Sequence, residues 1–145
     1  MSSPRPVLCA VDVSNKYRDI GVLKQAARLA ALDGAQLDVI TVVPDFGMSV
    51  VGGYFEEGHH DKAVEEARGL LGALVTKALG ADADAKARHM VATGNAYEEI
   101  LKAAKAVDAG LIVIGAHKPD FKDFLLGPNA ARVVRHSDCS VFVVR

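Results

Sequence analysis

Tryptophan is absent from this 145-residue chain, cysteine occurs only twice and proline five times, and aromatic residues make up 6%. A core so short of rings must be assembled from aliphatic side chains, and Ala and Val supply 42 of the 73 apolar residues. Two cysteines cannot form the disulfide framework of a small secreted domain. Cys9 and Cys139 lie in apolar surroundings far apart in sequence and read as two reduced thiols. No stretch approaches the roughly 18 consecutive apolar residues that span a bilayer. The opening residues Met1 to Pro6 run straight into a strand-like segment with no secretory h-region, so the expectation is a cytoplasmic protein without membrane insertion. An excess of one charge is missing as well: 17 basic side chains stand against 18 acidic ones. That balance argues against a bulk attraction to nucleic acid, and the 50% apolar content argues against disorder. The length fits one domain spanning residues 1–145.

What is present is alternation. Val7 to Val11 reads as a buried strand. It is followed by helical spacing from Asp19 to Asp33-Gly34, where glycine can take the left-handed conformation. Leu37 to Val43 is a second strand, and a long irregular stretch from Phe46 to His60 leads to helical spacing over residues 61–79, ended by Gly80. Its glycines, Gly47, Gly52, Gly53 and Gly58, make this stretch a candidate lid. Arg88 to Ala92 is a more polar strand suited to a sheet edge. Asn95 and Glu98 have capping-box spacing before the next helix, which ends at Gly110. Leu111 to Gly115 is the most apolar strand and suits a doubly covered position; Pro128 to Arg135 is helical, and Ser140 to Val144 is a last strand. Strict β-α alternation of this kind implies an α/β fold: an open parallel sheet of five strands, Rossmann-like, in three layers with helices on both faces. Ligands of such sheets bind beyond the carboxyl ends of the strands, where the strand order reverses.

The segment Gly115 to Ala130 is the strongest chemical signal. It joins a buried strand to a helix that starts abruptly at Gly127, and free amides at a helix start form an anion site to which His117 and Lys118 add positive charge. A phosphate group suits it. The competing account is that Gly127 is only an N-cap, with Pro128 in its favoured first helical position. Asp12, an acid at a strand end beside Ser14, suits ribose binding or helix capping better than catalysis, since nothing marks a partner base. Gly58-His59-His60-Asp61 reads as the polar start of a helix in preference to a metal site. No Gly-Lys-Ser or Gly-Lys-Thr follows the first strand, so a P-loop enzyme is not expected.

The residues Val7 to Ser14, Val42-Val43-Pro44, Gly94-Asn95, Gly115-Ala116-His117-Lys118-Pro119, Leu125-Leu126-Gly127 and Arg132 to Val144 together resemble the universal stress protein family. The resemblance covers essentially the whole chain, and is nearest to small single-domain bacterial members. It implies strand order 3-2-1-4-5, a homodimer joined through Val141, Phe142, Val143 and Val144, and, in the nucleotide-binding branch, ATP at the switch point. On that pattern Asp12, with Ala10 and Val11 beside it, meets the ribose or adenine end, and the backbone of Val42 meets adenine. Gly115, Lys118 and Gly127 line the phosphate path, and Pro128, Asn129 and Ala130 stand where phosphate donors belong.

The chain departs from that pattern in three ways. Lys118 replaces the second glycine of the phosphate motif, the following loop is one residue shorter, and Pro128 replaces a hydroxyl residue. Proline removes both the hydroxyl and a backbone amide. Binding is therefore expected to be weaker, or to favour fewer phosphates, with ADP or AMP as alternatives to ATP and a divalent ion on the phosphates left open. The resulting expectation is a stress-response regulatory module with a protein target still to be named, and not an enzyme. The other reading is a dimeric interaction protein of the same fold that has lost its nucleotide.

Overall fold

A computed structural model of the chain describes residues 3–14, 18–44, 57–116 and 128–145, with the side chains of residues 57–60 and 128 left aside. Successive side chains of a strand point to opposite faces of its sheet, and the first strand, β1 (Val7–Ala10), is apolar at every position and buried at every position. A strand of that kind needs cover on both sides. Helix α1 (Ile20–Asp33) follows and buries Val22, Leu23, Ala26 and Ala30. It ends as the sequence suggests: Gly34 sits at φ 63°, and the Ala35 amide donates back to the Ala30 carbonyl at 2.8 Å. Then come β2 (Leu37–Val43), α2 (Glu57–Leu79), α3 (Ala81–Lys86), β3 (Arg88–Thr93), α4 (Ala96–Ala106), β4 (Leu111–Gly115), α5 (Pro128–His136) and β5 (Ser140–Val144).

The five strands form one sheet of order β3-β2-β1-β4-β5, and each neighbouring pair is parallel. Two apolar layers cover it. Val7, Cys9, Val11, Val39 and Val113 meet α1 and α2 on one face; Leu8, Ala10, Ile40, Ile112 and Ile114 meet α4 and α5 on the other. Cys9 and Cys139 are free thiols separated by β4. The expected edge position of the polar strand is observed, since among the described residues β3 pairs with β2 alone.

Two local expectations need correction, and one short helix is additional to them. Helix α2 begins at Glu57, so residues 57–60, read as the end of an irregular stretch, are its first turn. The Ala-rich segment after Gly80 forms the extra helix α3, which buries none of its residues and so carries no apolar stripe to announce it. Polar contacts hold it instead: Thr76 donates to Asp84 at 2.7 Å, His89 Nε2 lies 2.6 Å from the other Asp84 oxygen, and Gln36 donates to the Lys86 carbonyl at 2.8 Å. The capping box at α4 does not form. The exposed Asn95 makes no side-chain cap bond, and Glu99, not Glu98, leans over Gly94, which occupies φ 133°.

Among the described residues, one buried charge lies within the sheet. Asp38 on β2 is fully buried, and its cross-strand neighbour Arg88 on β3 grips both carboxylate oxygens, at 2.5 and 2.8 Å, while the guanidinium faces solvent. That forked pair clamps the edge strand to the sheet.

Candidate functional site

The chain winds outward from β1 through β2 to β3, then crosses back to lay β4 on the other side of β1. A crevice is therefore expected beyond the carboxyl ends of β1 and β4. Both ends are held firmly one residue past their strands. The Val11 amide donates to the Ile40 carbonyl at 2.9 Å, and the Ala116 amide to the Val144 carbonyl at 2.8 Å. Ala10 and Val11 are buried and form the floor on the β1 side, and Gly115, half-buried and without a side chain, ends β4.

Asp12 follows directly and is exposed. Its Oδ1 accepts the Ser14 amide at 2.9 Å and the Ser14 hydroxyl at 2.5 Å, a tight Asx-type turn. Its own amide donates to Asp19 Oδ2 at 2.7 Å. The loop that carries Asp12 is thus tied at two points before any ligand arrives. Val42 lies one strand farther out, half-buried and opposite Ala92. On the β4 side, α5 begins at Pro128 with no acid in its first turn; Asn129 is exposed and Ala130 is buried in the same apolar cluster as Ala10 and Ile114.

Of the residues singled out in the sequence, the structure sets Ala10, Val11, Asp12 and Gly115 at the carboxyl ends of the adjacent strands β1 and β4, with Val42 on the next strand and Asn129 and Ala130 at the start of α5. His117, Lys118 and Gly127 lie outside the described residues, as do residues 46–56 of the candidate lid over 46–60, whose last four residues belong to α2. Pro128 is placed only as the first residue of α5. Sequence reasoning missed Asp19. An acid one residue before an apolar helical stripe signals an N-cap, but nothing in the sequence reveals that its carboxylate turns back to Asp12.

The described residues also line a groove of about 470 Å³ at the opposite end of the sheet. Arg5, Lys105, Asp108, His136 and Cys139 border it, beside the amino ends of β1, β4 and β5. Arg5 there is engaged with Asp108 and the Ala109 carbonyl. A groove of mixed charge whose arginine is already engaged does not select a ligand, and the carboxyl ends of β1 and β4 are the better candidate. No group of three or more potential metal ligands occurs among the described residues. No described helix is long and apolar enough to cross a membrane.

Comparison with known proteins accords with this geometry. The sequence pattern of the Universal stress protein family matches residues 4–145. Universal stress protein G of Shigella flexneri is 38% identical over 52 residues, a stretch that spans 36% of this chain and only 37% of that relative. Among solved structures, the universal stress protein from Archaeoglobus fulgidus in complex with dAMP superposes with a TM-score of 0.69 at 22% identity, covering 99% of this chain and 100% of that one. A universal stress protein in complex with cAMP gives a TM-score of 0.63 at 21% identity, covering 99% and 98%. At such identities the superpositions establish the shared fold.

Proposed function

This chain belongs to the universal stress protein family, and on that premise we propose that it binds an adenine nucleotide at the carboxyl ends of β1 and β4, with ATP the first candidate and ADP or AMP the shorter ones. One observation supports the reading: the strand order reverses between β1 and β4, with the acidic turn at Asp12 following β1 and the acid-free first turn of α5 preceding β5 on the β4 side. Asp12 then meets the ribose or adenine end above the floor of Ala10 and Val11, and the Val42 backbone borders the base. Phosphates lie toward Gly115, His117, Lys118 and Gly127, with Asn129 and Ala130 supplying amides at the head of α5 and its dipole adding attraction. The dAMP and cAMP complexes of two structural neighbours support an adenine nucleotide as the ligand class. The protein works as a cytoplasmic stress-response regulatory module, without a dedicated catalytic base.

A homodimer through β5 completes the proposal. Among the described residues this strand pairs with β4 alone, which leaves its outer edge without a strand partner there, and Phe142 on it stays 38% exposed. Two copies meeting along β5 satisfy both edges and cover Phe142.

Calorimetry on nucleotide-stripped protein with ATP, ADP and AMP, with and without magnesium, tests the ligand. Saturable binding is expected; no heat and no retention in dialysis at millimolar nucleotide overturns the reading. The second reading, a dimeric interaction protein that has lost nucleotide binding, would then hold, and it is favoured by the proline at the head of α5.

A further inference from the structure

Two helices begin beyond the carboxyl ends of the central strands, α1 after β1 and α5 after β4, and a helix start carries amides without intrahelical partners and the positive end of the dipole. Their surroundings differ in charge. The first turn of α5 contains no acid, whereas α1 is headed by Asp19, a carboxylate only 2% exposed. An aspartate at this position ordinarily accepts from the second or third amide of its own helix. Asp19 makes no such bond. Its Oδ2 takes the Asp12 amide instead, seven residues back across the loop, at 2.7 Å.

That amide is the first donor beyond the β1 ladder, since the preceding one, on Val11, still bonds to Ile40. It is the donor that an anion lodged at the end of β1 would use. The exposed Asp12 carboxylate, fixed by Ser14, places a second negative charge next to it. The field of Asp19 also reaches inward: the Cys9 thiol is pushed well above the ordinary thiol range, by burial first and by the Asp19 charge second.

We propose that Asp19 determines which way round a nucleotide lies in the crevice. Its carboxylate is a resident anion at the head of α1: it occupies the Asp12 amide, repels phosphate from the β1 side, and holds Asp12 ready for the hydroxyl and amine groups of the nucleoside. Phosphates are left to the amides of α5. This rests on the nucleotide reading given above. Asp19 is a positioning residue, acting on the nucleoside through Asp12 and on phosphate through its charge.

Two variants separate those actions. Asp19→Asn keeps an oxygen acceptor for the Asp12 amide but removes the charge; Asp19→Ala removes both. Binding of adenosine, ATP and inorganic tripolyphosphate to the stripped full-length chain is measured by calorimetry, and exchange of the Asp12 amide by NMR. Asp19→Ala is expected to weaken adenosine about tenfold, the worth of one hydrogen bond to a charged group, and to lose protection of the Asp12 amide. Asp19→Asn is expected to restore adenosine to within about threefold of wild type, neutral bonds being the weaker kind, and to keep that protection. Tripolyphosphate is expected to tighten in both by about threefold, the scale of one screened charge removed from close range. Tripolyphosphate affinity unchanged by Asp19→Asn, in a wild type that binds adenosine and ATP, overturns the proposal and leaves the nucleotide reading standing. A wild type that binds neither adenosine nor ATP overturns that reading and the proposal with it. If Asp19→Ala does not fold, Asp19→Asn decides alone, because the charge comparison does not need the alanine.

Discussion

Replacing Pro128 by serine probes the phosphate side of the crevice most directly. Proline heads α5, so the first position of that helix contributes no amide hydrogen, and the next residues, Asn129 and Ala130, carry the first ones available. Serine restores one backbone donor and adds one hydroxyl. A hydrogen bond to a charged group is worth about 1.5–3 kcal/mol when shielded, and a crevice open to water reduces each of the two to about 1 kcal/mol. Together they amount to about 2 kcal/mol, or roughly thirtyfold in affinity. The gain is expected in full for ATP, in smaller part for AMP, and not at all for adenosine, which has no phosphate to receive it. Serine also gives up the restricted backbone that suits proline to a first helical position, which costs about 0.5–1 kcal/mol and lowers the melting temperature by roughly 2–3 °C. Calorimetry with the three ligands, paired with thermal unfolding, measures both effects. ATP affinity unchanged within twofold refutes the account of α5 as the phosphate site, and equal tightening for adenosine refutes it too. If wild type binds nothing at millimolar ATP and Pro128→Ser binds, the proline itself abolished binding.

Other perturbations test the scaffold. Arg88→Met leaves the buried Asp38 carboxylate without its forked partner; because the guanidinium is itself half in water, the expected cost is about 2–3 kcal/mol, below that of breaking a fully buried pair. Urea unfolding measures it, and a loss under 0.5 kcal/mol contradicts the clamp. Phe142→Lys places a charge on the proposed β5 interface, and sedimentation should then report a folded monomer where wild type is dimeric; an unaltered dimer sinks that interface. Cys139, half-buried, should react with a thiol reagent in the native protein, while the fully buried Cys9 should react only on unfolding; two equally fast thiols would contradict the packing of β1. Because Cys9 holds its proton in the folded state beyond the range where the unfolded thiol, near pKa 8.5, releases it, stability should fall as pH rises above about 9. A Cys9→Ala variant, compared by urea unfolding at pH 8 and pH 10, should lose less stability over that interval than wild type.

Periodicity made most of the scaffold legible. The runs of Val, Ile and Leu at β1, β2 and β4 can be read because a strand buried on both faces has little place for polar residues, here the answered charge at Asp38 and the hydroxyl of Thr41. The start of α2 was misplaced because Glu57-Gly58-His59-His60 shows no apolar stripe, and α3 was invisible for the same reason. The site was legible by position more than by contact. The carboxyl ends of β1 and β4 could be named from the rule for open sheets, yet nothing in the order of residues shows that Ser14 grips Asp12 or that Arg88 reaches Asp38 on the neighbouring strand.

The scarcity of rings and cysteines, the even charge and the strand-helix alternation determine by themselves that this chain folds as a parallel sheet with an aliphatic core on each face, since local hydrophobic spacing suffices to specify each element and its buried side. Which acid does what was decided only by tertiary structure. Asp12 and Asp19 look alike in sequence, one at the end of a strand and one at the head of a helix. Folding brings Asp19 back against the Asp12 amide in a buried site and leaves the Asp12 carboxylate exposed beside the crevice. The reason is physical: a hydrogen bond depends on distances between atoms that the loop brings together, and residue spacing along the chain does not encode them.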